Sequence, residues 1–307
     1  MMIPMRIGVS LRSGYGALEP RVAVRHMVER ARAARVAGLD SLFVGDHHVT
    51  GSTYLQNVPM LGRLLGEWGD RPAGALFLLP MWHPVLVAEQ VATLATLAKG
   101  PFVVQVGLGD GEAQFAGMGR SLAGRARALE ASLDVIRRLL AGETVTADEP
   151  VAITDARIGP LPPQPVAVWI GAGAAKGIDR AARLGDGWIA GPWVPLDQAR
   201  DQAARYLEQR AAHGKDAGVV AIRRDIHVGA ETADAHRVAD PVLAAGYRGL
   251  PPDAPLVGGP HEVAAAILGL ADLGYTDVLI RHLADDQAEV LASFERLATV
   301  RELVRRA

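Results

Sequence analysis

The chain contains no cysteine. Disulfides and thiolate chemistry are thereby excluded, although compartment is left unmarked. Aromatic residues are also scarce, at 5% of 307 positions, so a core must be built mostly from Ala, Val, Leu and Ile. Half the residues are hydrophobic, which is ample for a large core. Charge of neither sign dominates: the formal net charge is −2, with no Lys/Arg block and no basic stripe interleaved with aromatics. That pattern argues against nucleic acid as a partner. No apolar run approaches the roughly 18 residues of a membrane span. The opening stretch "MMIPMRIGVS" has neither the apolar region nor the small-residue cleavage site of a signal peptide. The expectation is a cytoplasmic protein without a membrane partner.

What is present is an alternation. Short apolar runs rich in β-branched residues are followed by longer segments of helical period. "RIGVSL" precedes a helix predicted over Arg21 to Ala37, and "SLFVG" precedes one around Leu61 to Trp68. "AGALFLL" leads to Pro84–Ala98, and "PFVVQV" to Arg120–Leu140, where Leu129, Leu133, Ile136 and Leu140 fall in line. "VAVWI", "GWIA", "VVAIRRDIHV" and "DVLI" lead to helices at Lys176–Leu184, Leu196–His213, Glu262–Leu273 and Gln287–Val304. Eight strand–helix units with nearly continuous apolar strands point to α/β architecture, a closed (β/α)8 TIM barrel in a single domain over 1–307. No Gly-rich dinucleotide fingerprint opens the first unit, which weighs against an open doubly wound sheet. Two insertions interrupt the repeat, at about 142–165 and 229–260. The first has the alternation of a small hairpin. The second follows a strand and is a lid candidate over the barrel mouth.

Barrel chemistry sits at the C-terminal strand ends. There the sequence places Asp46, His47 and His48; Trp82 and His83; Gly107 to Glu112; Gly171 to Lys176; Trp193; and Arg281 with His282. "VWIGAGAAKG" is a glycine-rich turn that opens a helix. Its small residues let an anion approach free N–H groups, and Lys176 adds charge, so a phosphate-bearing cofactor would dock there. A tight turn that needs glycine only for positive φ fits the same letters. "VGLGDGE" is a second such turn, with Asp110 and Glu112 at the mouth.

"GLDSLFVGDHH", "LLPMWHPVLVAEQVATLATLAKG", "VQVGLGDGEAQFAGMG", "PVAVWIGAGAAKGIDRAARLGDGWI" and "GPHEVAAAILGLADLGYTDVLI" together resemble the bacterial luciferase-like superfamily of flavin- and deazaflavin-dependent oxidoreductases, in that order and nearly end to end. The resemblance implies a luciferase-like barrel with insertions, a homodimer, and FMN or coenzyme F420 across the mouth. It implies hydride transfer or monooxygenation of a small organic substrate. Asp46 and His47 match the family's acid–histidine pair beside the ring, with His47 trading a proton and Asp46 fixing its tautomer or touching the ring edge. Ala75–Leu76 matches a non-prolyl cis peptide behind the ring. Gly107, Gly109 and Asp110 match the loop flanking the cofactor, with either Asp110 or Glu112 as a second acid. Gly171, Ala172, Gly173, Ala174, Ala175 and Lys176 match the phosphate site. His48, Trp82, Trp193 and His282 would line the substrate side. No metal is expected. The rival readings are a metal-dependent barrel hydrolase using Asp46, His47, His83 and His282, and a non-catalytic cofactor-binding protein.

Overall fold

Residues 5–251 and 253–307 are described in a computed structural model. Met1–Pro4, part of the opening stretch read above, and Pro252, inside the second insertion, lie outside the described residues. The chain runs β1 (Arg6–Leu11), β2 (Gly14–Gly16), α1 (Pro20–Val36), β3 (Leu42–Val44), β4 (Thr53–Tyr54), α2 (Asn57–Trp68), β5 (Ala73–Leu78), α3 (Pro84–Leu97) and β6 (Phe102–Gly107). It continues through α4 (Glu112–Gly117), α5 (Arg125–Leu140), β7 (Val145–Ala147), β8 (Ile153–Ala156), β9 (Ala167–Gly171), α6 (Ala175–Leu184), β10 (Gly187–Ala190) and α7 (Leu196–Ala212). Last come β11 (Val219–Val228), α8 (Thr232–Ala244), β12 (Leu256–Gly258), α9 (Pro260–Asp272), β13 (Asp277–His282) and α10 (Gln287–Arg306).

The main sheet has the order β10-β9-β6-β5-β3-β1-β13-β11-β12, and β10 also pairs with β11. Eight strands therefore close into a ring, and β12 is an added neighbour of β11. The registered pairs β5–β6, β9–β10, β10–β11, β11–β13 and β1–β13 are all parallel. This is the expected (β/α)8 class. All six residues of β6 are buried, as strands covered on both faces require. α5 turns Leu129, Leu133 and Ile136 inward at three- and four-residue spacing, the stripe that predicted it.

The chain groups into two compact units. One holds the segment up to Arg12, Arg21–Phe43 and Trp169–Ala307; the other holds Ser13–Pro20 and Val44–Val168. In the first unit, Trp188 stacks on Tyr206 at 5.4 Å and on Tyr275 at 6.0 Å, so few aromatics do much of the filling behind β10. In the second, β7 and β8 form the expected hairpin in the first insertion. β2 and β4, unforeseen in the sequence, form a two-stranded antiparallel pair that sets Gly14 opposite Tyr54.

The second insertion is mostly ordered structure. It contains α8, a single tight turn at Tyr247–Gly249, and β12, whose Leu256 sits opposite Ile226 of β11.

Candidate active site

β3 ends at Val44, and the polar tail follows at once. Asp46 is buried, and its Oδ2 accepts two hydrogen bonds of 2.8 Å, from the Leu78 N–H at the end of β5 and from the Trp82 indole Nε1–H. Its Oδ1 lies 3.1 Å from His48 Nε2. That pair is close but outside hydrogen-bonding direction, so both atoms keep unused capacity. The His48 ring meets Trp82 edge-on at 5.3 Å. The His48 N–H donates to Gln114 Oε1 at 2.8 Å, and Gln114 Nε2 donates to the Asp110 carbonyl at 2.8 Å. Gln114, a buried amide on α4, thus ties the histidine loop to the turn after β6. Nothing in the sequence marked it, because an amide in a helix carries no pattern of its own.

His47 is different. Its side chain is exposed, 5.6 Å from the Tyr54 ring, and its carbonyl accepts from Gln56 Nε2 at 3.2 Å. Asp46 therefore engages His48 and Trp82 and not the His47 ring, whose tautomer it would fix in the first of the two roles expected of it. The expected substrate-wall role of His48 also needs revision: its ring is turned into the protein, against Asp46 and Trp82. Next along, Val49 adopts φ 53, a left-handed backbone that a β-branched residue rarely takes. It packs over Gly117, where any Cβ would come within 2.7 Å of Val49 Cγ1. The loop is held in one shape from several sides.

Two further expectations meet corrections. Among the described residues the cis peptide bonds are Glu149–Pro150 and Gly159–Pro160, so Ala75–Leu76 is not one. The reason is regular pairing: Ala75 sits opposite Val104 and Leu76 opposite Gln105 in an unbroken parallel ladder. The Leu76 carbonyl also accepts from Asn57 Nδ2 at 2.7 Å.

His282 does not line a substrate wall. Its ring packs 4.2 Å from Phe294 of α10, and its Nε2 lies 3.0 Å from Ser293 Oγ. Period-two alternation turns it toward the helix layer and gives the opposite face to Arg281. Burial holds the His282 imidazole well below its ordinary range, with Arg30 and His227 adding repulsion. The folded state thus resists a proton that the unfolded chain accepts. His282 should contribute stability above about pH 6.5 and lose it as the pH falls below that, by at most about 1.4 kcal/mol per pH unit. Thermal melts between pH 7.5 and 5 check this. His282→Gln should flatten the slope, and an unchanged slope would refute the assignment.

Around β6, Gly107 closes the strand and Gly109 takes φ 70, crowded by Met81 and Phe115. The carboxylate of Asp110 is exposed, accepting from the Gly111 N–H at 2.9 Å and lying 3.5 Å from Arg125. Glu112, also exposed, starts α4.

In the first unit, the Gly171–Lys176 turn is shaped by its backbone. The Ala172 carbonyl accepts from Trp188 Nε1 at 2.8 Å, and the Gly173 carbonyl from Gln202 Nε2 at 3.0 Å. Gly171 and Gly173 are absent from the positive-φ glycines, so strain is not what they relieve. A Cβ on Gly173 would meet only Gln202 Nε2, at 4.0 Å, so the space above it is open. α6 starts beneath with no side-chain cap, and Ala174, Ala175 and Lys176 are exposed. Uncapped N–H groups below open space suit a phosphate. Trp193 lies on the loop after β10, 56% exposed, with its ring folded over Gly191. No three His, Cys, Asp or Glu side chains among the described residues gather as a metal set, so Asp46, His47, His83 and His282 do not form the ligand cluster of the hydrolase reading.

A ring of eight parallel strands with its polar groups beyond the strand ends defines a (β/α)8-barrel protein. Residues 2–267 match the luciferase-like monooxygenase family, and the chain belongs to it. It is 32% identical over 192 residues to an F420-dependent glucose-6-phosphate dehydrogenase of Kribbella flavida, covering 59% of this chain and 58% of that protein. The match thus spans less than two thirds of that relative. Its fold is similar to an F420-dependent secondary alcohol dehydrogenase solved with an F420–acetone adduct (TM-score 0.79, 18% identity, 97% and 99% of the two chains). It is also similar to the oxygenating constituent of 3,6-diketocamphane monooxygenase of Pseudomonas putida in complex with FMN (TM-score 0.77, 16% identity, 96% and 97%).

Proposed function

We propose that the chain is an oxidoreductase that uses FMN or coenzyme F420 for hydride transfer or monooxygenation of a small organic substrate. The observation that carries this reading is the Asp46 anchor. It fixes the end of the β3 loop while leaving the His47 imidazole exposed. Imidazole can give or take a proton near neutral pH, the complement a redox cofactor needs. The donor set fits the cofactor's phosphate: open space over Gly173, an uncapped α6 and Lys176 in its first turn. When bound, the cofactor supplies the hydride or oxygen chemistry. The chain's residues do the rest. Gly171 to Lys176 hold the phosphate end. Asp46 positions the loop from beneath, the Gly107, Gly109 and Asp110 turn flanks the ring end, Trp82 and Trp193 line the substrate, and His47 moves the proton. The reading extends to a cytoplasmic homodimer.

Purified protein should bind one of the two cofactors at micromolar concentration in separate absorbance titrations with FMN and F420. Binding of neither would overturn the proposal. Gly173→Val, which fills the open space, should weaken that binding about tenfold while the melting temperature holds.

A further inference from the structure

In the first unit, a group of arginines gathers on the inward face of β11 and β13, where no role has been given. The strand register sets Asp225 beside Arg281, and Arg223 lies two residues earlier on the same face. Arg248 reaches the same place from the tight turn after α8, at φ 52, a backbone that non-glycine residues seldom hold. Among the described residues, Asp225 is the carboxylate paired with Arg223 and Arg248. Its Oδ1 accepts from Arg223 Nε at 3.2 Å, and its Oδ2 lies 3.5 Å from Arg248 Nη1. Arg12, nearby, is paired with Asp285. Three guanidiniums thus face one carboxylate, a formal charge of about +2 held mostly out of water, which is costly unless something answers it.

Arg281 Nε is buried and makes no hydrogen bond; Arg223 Nη2, also buried, lies 3.1 Å from Asp225 Oδ1 but outside hydrogen-bonding direction. Burial and the neighbouring arginines push Arg223 down to about 9 against the pull of Asp225, and burial lowers Arg281 as well. The Arg223 side chain is still 16% exposed and that of Arg248 35%, so solvent reaches the group.

We propose that Arg223, Arg281 and Arg248 bind an oxyanion, a carboxylate or a phosphate, carried by the substrate. Planar guanidiniums with unspent donors match such a group in a forked geometry that lysine cannot offer. Asp225 holds the arginines in place and offsets part of their mutual repulsion. The proposal rests on the oxidoreductase reading only in naming the ligand as the substrate; the anion site stands by itself.

The test uses the full chain and inorganic phosphate. Phosphate at a hundredfold excess over its Kd should raise the melting temperature by about 4 °C. In calorimetric titrations, Arg281→Met should bind phosphate about 10- to 100-fold more weakly. Asp225→Asn, which removes the competing carboxylate, should bind it more tightly. FMN or F420 affinity should stay within threefold in both variants. If Arg281→Met fails to fold, Arg281→Lys should still weaken phosphate severalfold, since it keeps the charge and loses the fork. Unchanged phosphate affinity in the arginine variants overturns the site. A loss of cofactor affinity in them would assign the arginines to the cofactor's own anionic groups and overturn the substrate role. Phosphate binding in a protein that takes neither cofactor would sink the oxidoreductase reading and leave the anion site standing.

Discussion

His47→Ala should slow turnover by about 10²–10⁴-fold, the range lost when a positioned proton-transfer group is removed. The geometry argues for a specific effect. Among the described residues the His47 ring makes no hydrogen bond, yet its backbone is fixed by Gln56 and by the buried neighbours Asp46 and His48. A side chain left free at the tip of a rigid loop is spent on something other than stability. The variant should therefore unfold within about 0.5 kcal/mol of the parent, as exposed substitutions do. Its cofactor affinity should change only severalfold. Steady-state rates, cofactor titrations and urea melts on one preparation separate these effects. Turnover within threefold of the parent would remove His47 from the chemistry and favour the non-catalytic cofactor-binding reading.

Much of the fold was legible because a (β/α)8 ring repeats one simple pattern. Strands buried on both faces read as apolar runs, and each helix advertises its stripe; α3, α5 and α7 begin or end within a few residues of the expected bounds. The parts that stayed hidden are those with little periodicity. β2 and β4 are three and two residues long, too short to alternate. β12 and α8 lay inside a stretch whose Gly, Pro and Asp content masked them.

The site was legible by position and less so by orientation. Strand ends could be found from the letters, and the His47 and His48 pair with them. Which of two adjacent side chains turns inward depends on the local twist of a loop, so the letters do not reveal that Asp46 meets His48 and not His47. His282 shows the same difficulty on a strand. Alternation alone allowed either His282 or Arg281 to face inward, and only the contact with Phe294 decides between them. Gln114 had no signal at all, since its role depends on contact with His48, 66 residues away in sequence.

Asp46→Ala should be the most destabilising single change in this loop, costing about 3–5 kcal/mol. The carboxylate is buried and accepts from both the Leu78 N–H and the Trp82 indole N–H. Its removal leaves two donors without a partner at about 1–3 kcal/mol each, and takes the negative charge away from His48 Nε2. Asp46→Asn is the informative companion. The amide oxygen can keep both N–H donors. The cost should fall to about 1–2 kcal/mol. Activity should drop in both variants, because Asp46 positions the loop that carries His47, but the pH profile of the residual rate should shift less in Asp46→Ala than in His47→Gln. Urea denaturation followed by Trp fluorescence, in which Trp82 itself reports, gives the stability difference directly. Equal stability of the Ala and Asn variants would show that the two hydrogen bonds do not hold the loop, and that the exposed position of His47 has some other support.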